Sequence, residues 1–323
     1  MRASLGARLA MAVALAANTA LFAFGADSRP IVVGALKGPS GIGLVWLFEA
    51  PPSVPGGGTA TPVAVASADL MVAKLVSGEY DAAVLPINIA AKLYNSGIGI
   101  RLAAIIGEGM ISFLTSDASI ASLSDLKGAT VNVAGQGATP DYLFRRLLAG
   151  AGLDPAKDLR LEYALPYPEA AAALAAGKIR SAVLPEPFST MARAANPALR
   201  SPLDLGALWT QATGQSGYPM TALVVSARLA SERPEAAAAI IKACEASIRK
   251  VVGNPEEAGT LVERHDLGLK AAIAAKSIPR AAYVFKSARE ARPSIEALLS
   301  VFLGFAPASV GGKLPDDGFY SGP

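Results

Sequence analysis

The chain repeats one pattern, which reads KLVSGEYDAAVLP at residues 74–86 and ALAAGKIRSAVLP at residues 173–185. In each copy the pattern predicts the end of a helix, a Gly turn, a buried apolar strand and a Pro that starts a loop. Any helix–Gly–strand unit has this general form, but here Pro86 and Pro185 also fall at the same place. The separation exceeds the period of the short structural repeats. We therefore predict two similar α/β lobes, with the same element once in each.

Short β-rich runs alternate with helical patterns on both sides of the repeat. The run after residue 30, the runs near 63–66, 130–134 and 159–163, and the one at 221–226 all read as strands. This alternation predicts parallel sheets with helices on both faces. The remaining predictions are one helix at 42–49, helix caps at Ser67 and Ser124, and a nearly all-helical chain from residue 234 onward.

Composition excludes several classes of protein. The chain has 323 residues, of which 52% are hydrophobic, and a mean hydropathy of +0.40. That length predicts about two domains, and the hydrophobic fraction excludes intrinsic disorder. One Cys and one His exclude a disulfide scaffold, a Cys-based metal site and any centre that needs two histidines. With 29 Lys and Arg against 26 Asp and Glu, the chain is not a basic nucleic-acid-binding domain. We predict no metal and no cofactor.

The N-terminal residues 1–25 have the pattern of an export signal. Arg2 and Arg8 precede an apolar stretch that ends in small residues at Ala23 and Gly25, which fit a signal-peptidase site. The stretch has about 16 residues, whereas a membrane span needs roughly 20, so cleavage is favoured over an uncleaved anchor. Cleavage would lower the net charge from +3 to +1. We predict a soluble, periplasmic chain without a lipoprotein Cys, whose one Cys is buried and inert.

Four predicted strands lead into helix N-termini, at residues 37–41, 86–88, 135–141 and 185–189. In open α/β sheets, ligands bind beyond the carboxyl ends of the strands. Free N–H groups and the helix dipole favour an anion or a strong acceptor there. Glycines allow close approach of the backbone, and side chains such as Ser40, Asn88 and Thr139 can donate hydrogen bonds. We therefore expect a small polar or anionic organic solute at these segments.

Each of these features also has a purely structural interpretation, and the sequence leaves both interpretations open. Thr139 fits an N-cap followed by Pro, and Asn88 fits a cap of its own helix. Glu186 could bind an amino group or tie down its own loop. The Gly135-Gln136-Gly137 turn lacks the residues of a dinucleotide motif or a P-loop. His265 reads as a solvated helix end, and core packing is favoured for most of the aromatic residues that could stack on a ligand, namely Trp46, Trp209, Tyr142, Tyr167 and Tyr218.

The chain resembles periplasmic substrate-binding proteins of ABC importers, in the nitrate, sulfonate, taurine and thiamine-precursor superfamily. The resemblance covers nearly the whole chain after the signal segment. Its clearest motif is SLSDLKG at residues 122–128 together with the Glu-Pro of VLPEPF at residues 183–188. Further matching segments are 35–41, 74–88, 135–141 and 311–317.

The resemblance implies a type II periplasmic binding protein fold, with two α/β lobes and a ligand cleft between them. The first lobe would comprise 26–112 plus 218–323, and the second 113–217. Hinge closure would trap the ligand, and the closed form would dock on an ABC permease coupled to its ATPase. We expect the chain to act as a monomer. The ligand contacts of the family correspond to Pro39, Ser40, Gly41, Pro86, Asn88, Gly135, Gln136, Gly137, Ala138, Thr139 and Glu186.

Two departures from the family pattern limit the function. The second copy of the repeat has Arg180-Ser181 where the first has Asp81-Ala82. The thiamine-precursor synthases of this fold use a Cys-rich motif and histidines for iron, and this chain lacks both. We expect a binding protein and not an enzyme. The alternatives are a menaquinone-pathway dehydratase-like enzyme, which the export signal disfavours, and a sensory ligand-binding receptor.

Overall fold

The computed structural model describes residues 29–56 and 58–322. The predicted signal segment at 1–25 lies outside the described residues. Ten strands are described: β1 Val32–Leu36, β2 Thr61–Val65, β3 Ala82–Pro86, β4 Ile100–Glu108, β5 Ile111–Thr115, β6 Thr130–Val133, β7 Arg160–Glu162, β8 Ser181–Pro185, β9 Pro219–Ser226 and β10 Tyr283–Ser287.

Thirteen α-helices surround these strands in the described part of the chain: α1 Pro39–Gly43, α2 Val45–Glu49, α3 Ala68–Val76, α4 Ile87–Asn95, α5 Thr139–Gly150, α6 Tyr167–Ala175, α7 Phe188–Ala195, α8 Leu205–Thr213, α9 Ala227–Glu232, α10 Pro234–Gly253, α11 Pro255–Arg264, α12 Ala271–Ser277 and α13 Ala288–Phe305. Within the described ranges, no helix is both long and apolar enough to cross a membrane.

The strands form two mixed sheets. The first has the order β10-β4-β9-β3-β1-β2 and the second the order β5-β8-β6-β7. The strands β1, β2 and β3 pair in parallel, as do β6, β7 and β8, whereas β5, β9 and β10 pair antiparallel to their neighbours. The predicted α/β architecture with parallel strands is confirmed, with antiparallel strands added to each sheet.

The two copies of the repeated pattern occupy equivalent places. The strand β3 lies between parallel β1 and antiparallel β9, and β8 lies between parallel β6 and antiparallel β5. Gly78 and Gly177 both have a positive φ, at 75° and 69°. Each glycine therefore makes a turn between a helix and its strand that a side chain would strain. The repeated element thus occurs once in each of the two sheets, and its assignment to two lobes stays a prediction.

Buried apolar residues cover both faces of each sheet. In β9, Ala222 and Val224 belong to one cluster, and Leu223 and Val225 belong to another on the opposite face. This alternation follows from the two-residue period of a strand. The first cluster includes residues of both sheets, such as Val224 and Val183. The helices on both faces thus hold the strand ends of the two sheets in fixed positions.

The chain passes between the two sheets at two places. The strand β4 ends at Glu108 in the first sheet, and β5 begins at Ile111 in the second. Gly109 lies between them with a φ of 57°. The chain returns to the first sheet with β9, which begins at Pro219. The lobe boundaries predicted after residues 112 and 217 stay a proposal.

Three local predictions were wrong. Residues 42–49 form no single helix, because Ser247 inserts its hydroxyl at the break: it donates to Gly43 O (2.9 Å) and accepts from Trp46 N (3.3 Å). The short helical turn at Leu123–Leu126 is capped by Ser122 and not by Ser124. Residues beyond 234 include β10, which pairs with the edge of β4.

Candidate ligand-binding site

A cavity of about 440 Å³ lies where strands of both sheets end. Leu36, Ala66 and Pro86 line it at the carboxyl ends of β1, β2 and β3. Gly135 and Pro185 line it at the ends of β6 and β8. This is the position at which open α/β sheets bind ligands, because the loops and helix N-termini that follow the strands converge there.

The predicted site residues divide into two groups. Seven line the cavity, and the other four lie outside its lining. The first group consists of Pro39, Ser40, Pro86, Gly135, Gln136, Ala138 and Thr139, and the second of Gly41, Asn88, Gly137 and Glu186.

The turn after β1 is held by its own side chains. The buried Ser40 hydroxyl accepts a hydrogen bond from Leu36 N at 2.8 Å. A Cβ added to Gly41 would lie 2.8 Å from Leu36 O, so the turn has no room for a side chain there. Gly38, with a φ of 108°, lies so close to Phe188 that an added Cβ would be 3.0 Å from its ring. These contacts fix the backbone of the turn against the loop after β8.

Asn88 does not cap its helix. The helix α4 begins one residue earlier, at Ile87, and has no side-chain cap. The Asn88 Nδ2 instead donates to Gly137 O at 2.9 Å, and its Oδ1 accepts from the Thr139 hydroxyl at 3.2 Å. The side chain is buried and joins a helix of the first sheet to the loop after β6. Asn88 and Gly137 therefore support the cavity from behind its wall.

The loop after β6 is ordered by an acid at the start of α5. Asp141 Oδ2 accepts from Gly137 N at 2.9 Å, and Oδ1 accepts from Arg145 Nε at 2.7 Å and from the Tyr163 hydroxyl at 2.8 Å. Burial alone would lower the pKa of Arg145. Its hydrogen bond to the Asp141 carboxylate and the attraction between the two charges have the larger effect, so the pKa of Arg145 is raised. Thr139 is the first helical residue rather than the cap, which is Ala138.

Tyr167 is the one residue among the five aromatic candidates that lines the cavity. Its ring stacks on Phe188 with centroids 5.3 Å apart and an interplanar angle of 13°. A Cβ added to Gly135 would lie 2.3 Å from the Tyr167 hydroxyl oxygen, so the missing side chain makes room for the hydroxyl. Burial raises the pKa of Tyr167 to about 12, which keeps the hydroxyl protonated at neutral pH.

Glu186 is buried beside the cavity. Its Oε2 accepts from Thr190 N at 3.1 Å, in the first turn of α7, and its backbone N–H donates to Met110 O at 2.8 Å. Burial raises the pKa of Tyr283, and the negative charge of Glu186 raises it further. Of the two interpretations left open by the sequence, these contacts correspond to a carboxylate that ties down its own loop.

Sequence reasoning missed several residues of the cavity wall. Lys37 and Asp69 are its charged members, and Met110, Met220 and Ile89 are among its apolar ones. Lys37 lies in the segment 37–41, which the sequence predicts to follow a strand, but the predicted ligand contacts in that segment begin at Pro39. Met110 and Met220 lie at the passages between the sheets, where no local pattern marks a ligand contact.

The remaining candidates lie elsewhere in the structure. His265 ends α11 and its Nε2 lies 2.8 Å from Glu49 Oε2, as expected for a helix end at the surface. Cys244 is buried, and burial raises the pKa of its thiol to about 12. Trp209 and Tyr218 pack against each other in the core. Across residues 29–56 and 58–322, no three His, Cys, Asp or Glu side chains are grouped closely enough to hold a metal ion.

Comparison with known proteins identifies the family. A model described as the NMT1-like family matches residues 47–264. An ABC transporter protein from Parabacteroides distasonis is 33% identical with a TM-score of 0.75, and the alignment covers 90% of this chain and 98% of that chain. No curated protein matches the chain.

More distant solved structures share the fold. The periplasmic aliphatic sulphonate binding protein SsuA from Escherichia coli is 18% identical with a TM-score of 0.69, over 89% of this chain and 92% of that one. The periplasmic nitrate-binding protein NrtA from Synechocystis is 16% identical with a TM-score of 0.59, over 76% and 68%. The chain belongs to the NMT1-like family and has the fold of the periplasmic binding proteins of ABC transporters.

Proposed function

We propose that this protein is the substrate-binding component of an ABC importer, which captures a small organic solute in the cavity. The observation that carries the proposal is the position of the cavity at the strand ends of both sheets, with walls from both. Its volume of about 440 Å³ lies within the range of roughly 300–1,000 Å³ that is typical of sites for organic ligands.

The two lobes would comprise residues 26–112 plus 218–323 and residues 113–217. The passages near Gly109 and Pro219 would act as hinges, because few residues there have to absorb the change in backbone angles. Ligand would favour the closed form only by its differential affinity for that form. The seven predicted residues on the cavity wall would contact the ligand. Gly41, Asn88, Gly137 and Glu186 would position them.

Delivery would take place at a membrane permease coupled to an ATPase, and the protein would work in the periplasm as a monomer without catalysis. Support for the location comes from relatives that are themselves described as periplasmic. Edman sequencing of the exported protein tests the proposed location. A mature N-terminus at Ala26 or Asp27 is expected. An intact Met1 in the cytoplasm would contradict export and favour the dehydratase-like enzyme, whereas an intact Met1 in the membrane fraction would favour the sensory receptor.

Native mass spectrometry of protein purified gently from the cells that make it tests solute capture. We expect a small-molecule adduct that dissociates on denaturation. Ala66→Trp places a large ring in the cavity from an exposed loop position and should abolish the adduct. Ala238→Trp, on the exposed face of α10, is the matched control and should keep it. An adduct that survives Ala66→Trp would place the ligand elsewhere and contradict the proposal.

A further inference from the structure

We infer that the cavity selects an uncharged, largely apolar ring compound and discriminates against compact anions. The inference rests on the proposed function and narrows its ligand, which the sequence alone leaves as either polar or anionic. It is carried by three observations on the described residues: three helix N-termini at the cleft have internal partners, the one cation of the wall is paired, and most of the wall is apolar.

At three of the helices that begin at the cleft, a group of this chain already accepts a hydrogen bond from an N–H in or just before the first turn. At α5, the Asp141 carboxylate accepts from Gly137 N at 2.9 Å. At α7, the Glu186 carboxylate accepts from Thr190 N at 3.1 Å. At α3, the Ser67 hydroxyl accepts from Leu70 N, and the exposed Asp69 carboxylate stands in the first turn. An incoming anion would meet negative charge where the sequence predicted free N–H donors.

The fourth helix, α4, offers the ligand an apolar wall. Its first residue, Ile87, is fully buried, and Asn88 is bonded to Gly137 behind the lining. Ile89 is the side chain that α4 contributes to the cavity after Pro86. The first turn of α4 contains no acidic residue. The residues that line the cavity there, Pro86 and Ile89, offer no side-chain hydrogen-bond donor to an anion either.

Among the described residues that line the cavity, Lys37 is the one cation. Its Nζ lies 3.0 Å from Asp266 Oδ2, at the outer side of the wall. The one acid of the lining is Asp69, so the wall together with Asp266 has one more negative than positive charge. Removing an anion from water without a free cation to receive it is unfavourable. The electrostatics therefore favour a ligand without net charge.

The rest of the wall suits a ring. Leu36, Val84, Leu85, Met110 and Met220 contribute apolar surface, and five prolines from the strand-end loops add rigid surface. Methionine side chains adapt to the shape of an apolar ligand. Tyr167 is backed by Phe188 and offers a neutral hydroxyl, and Gln136 offers a neutral amide. These groups can bind the polar substituent of an uncharged ring compound without charge compensation.

The test uses probes that share one ring and differ in charge: benzamide, benzoate and benzamidinium, with nitrate and methanesulfonate as compact anions. Binding to the purified full-length mature protein is followed by NMR titration up to about 10 mM, since fragments of this size bind weakly. We expect benzamide to bind about tenfold or more tightly than benzoate, because the anion loses its hydration without gaining a partner. Nitrate and methanesulfonate should give no saturable shift.

Two variants connect the selectivity to the cavity. Ala66→Trp should abolish benzamide binding, while the Ala238→Trp control keeps it. Asp69→Asn removes the acid of the lining and should raise the affinity for benzoate relative to that for benzamide by a few fold, since Coulomb repulsion acts on the charged probe alone. Thermal melts followed by circular dichroism verify that each variant is folded.

The outcomes separate this inference from the proposed function. If benzoate or methanesulfonate binds more tightly than benzamide and Ala66→Trp abolishes it, the inference is overturned and solute capture in the cavity stands. If benzamide fails to bind, the inference is overturned whatever the anions do. If no probe binds and native mass spectrometry finds no adduct either, both proposals fail.

Discussion

Asp81 and Arg180 stand at the same place in the two copies of the repeat but have opposite surroundings. Asp81 is buried, and its Oδ2 accepts from Val32 N at 3.0 Å while Oδ1 accepts from Arg228 Nη2 at 2.5 Å. The Arg180 side chain is 82% exposed. In the second copy, the hydroxyls of Thr115 and Ser181 lie 2.9 Å apart and connect β5 to β8. The Arg180 guanidinium instead lies 3.7 Å from Asp117 Oδ2, so the buried carboxylate of the first copy has no counterpart at residue 180.

Asp81→Ala should lower the free energy of unfolding by about 1–2 kcal/mol, because the part-buried backbone N–H of Val32 loses its acceptor. The pair with the half-exposed Arg228 adds little, since solvent screens it. Urea titration measures the change. The matched variant Arg180→Ala should stay within about 0.5 kcal/mol of the parent, as is usual for exposed positions. An equal loss of unfolding free energy in Asp81→Ala and Arg180→Ala would contradict a structural role for Asp81 that Arg180 lacks.

Gly135 and Tyr167 form a second pair that can be tested at the residue scale. Gly135 has a φ of 81°, and an added Cβ would lie 2.3 Å from the Tyr167 hydroxyl oxygen. Gly135→Ala should cost about 3 kcal/mol of stability, from backbone strain together with the steric clash.

In a Tyr167→Phe background the same change should cost about 1–2 kcal/mol, because strain remains while the hydroxyl is gone. A double-mutant cycle by urea titration measures the coupling between the two positions. Additive costs would mean that the hydroxyl does not occupy the space above Gly135.

At the scale of elements, Ser247 determines where the first two helices break. Ser247→Ala leaves Gly43 O and Trp46 N without their buried partner, and should cost about 2 kcal/mol of unfolding free energy. Ser231→Ala, at an exposed serine of α9, is the control and should change stability by less than about 0.5 kcal/mol. A neutral Ser247→Ala would show that the break has another cause.

The cap of the turn at Leu123–Leu126 gives stability a pH dependence. Hydrogen bonds from Ala121 N and from the hydroxyl and backbone N–H of Ser122 hold the pKa of Asp125 below its usual value. A carboxyl with a lowered pKa in the folded state stabilises the fold above the unfolded pKa. This contribution is lost as the pH falls, here between about pH 5 and pH 3.

Melting temperature measured against pH tests the role of Asp125. Asp125→Asn should flatten the decline on the acid side, since the group that titrates is removed. Ser124→Ala, in the same turn but outside the cap, should keep the slope of the parent. A parallel loss of stability in Asp125→Asn and its parent across this range would show that other carboxyls carry the effect.

The sequence predicted the elements whose signals are local, and missed those that depend on distant partners. The Gly turns, the Ser67 cap and the repeated strand follow from neighbouring residues, and the structure has them. The helix break at Leu44 requires Ser247, about 200 residues away, and β10 becomes a strand by pairing with β4. The carboxylates at the strand ends were missed although they are local, since Asp141 and Glu186 each accept from an N–H only four residues away. These carboxylates are the reason why we infer a neutral ligand where the sequence predicts a polar or anionic one.

At the scale of the whole molecule, polar and packing contacts link the proposed lobes on either side of the cavity, in addition to the packing of Phe302 against Tyr142 and Trp209. On one side, Asn88 bonds to the loop that contains Gly137 and Thr139. On the other, Gly38 packs against Phe188, and Arg280 Nη1 lies 3.4 Å from the Thr190 hydroxyl. The Asn88 contacts are buried, whereas Arg280 is exposed, so Asn88 should contribute more to keeping the lobes together.

Asn88→Ala should shift the ligand-free protein toward an open form, because two hydrogen bonds across the cleft are lost while the apolar packing shared by the two sheets is left in place. Small-angle X-ray scattering should show a larger radius of gyration, and benzamide or the natural adduct should bind more weakly, since the closed form is less populated. Asn95→Ala is the control: Asn95 Nδ2 also donates two hydrogen bonds, a half-buried one to Val310 O and an exposed one to Lys313 O, and both remain on the side of the first sheet. It should lower the melting temperature without changing the scattering. If Asn88→Ala only lowers the melting temperature as Asn95→Ala does, Asn88 is a structural tether and the lobes close by other contacts.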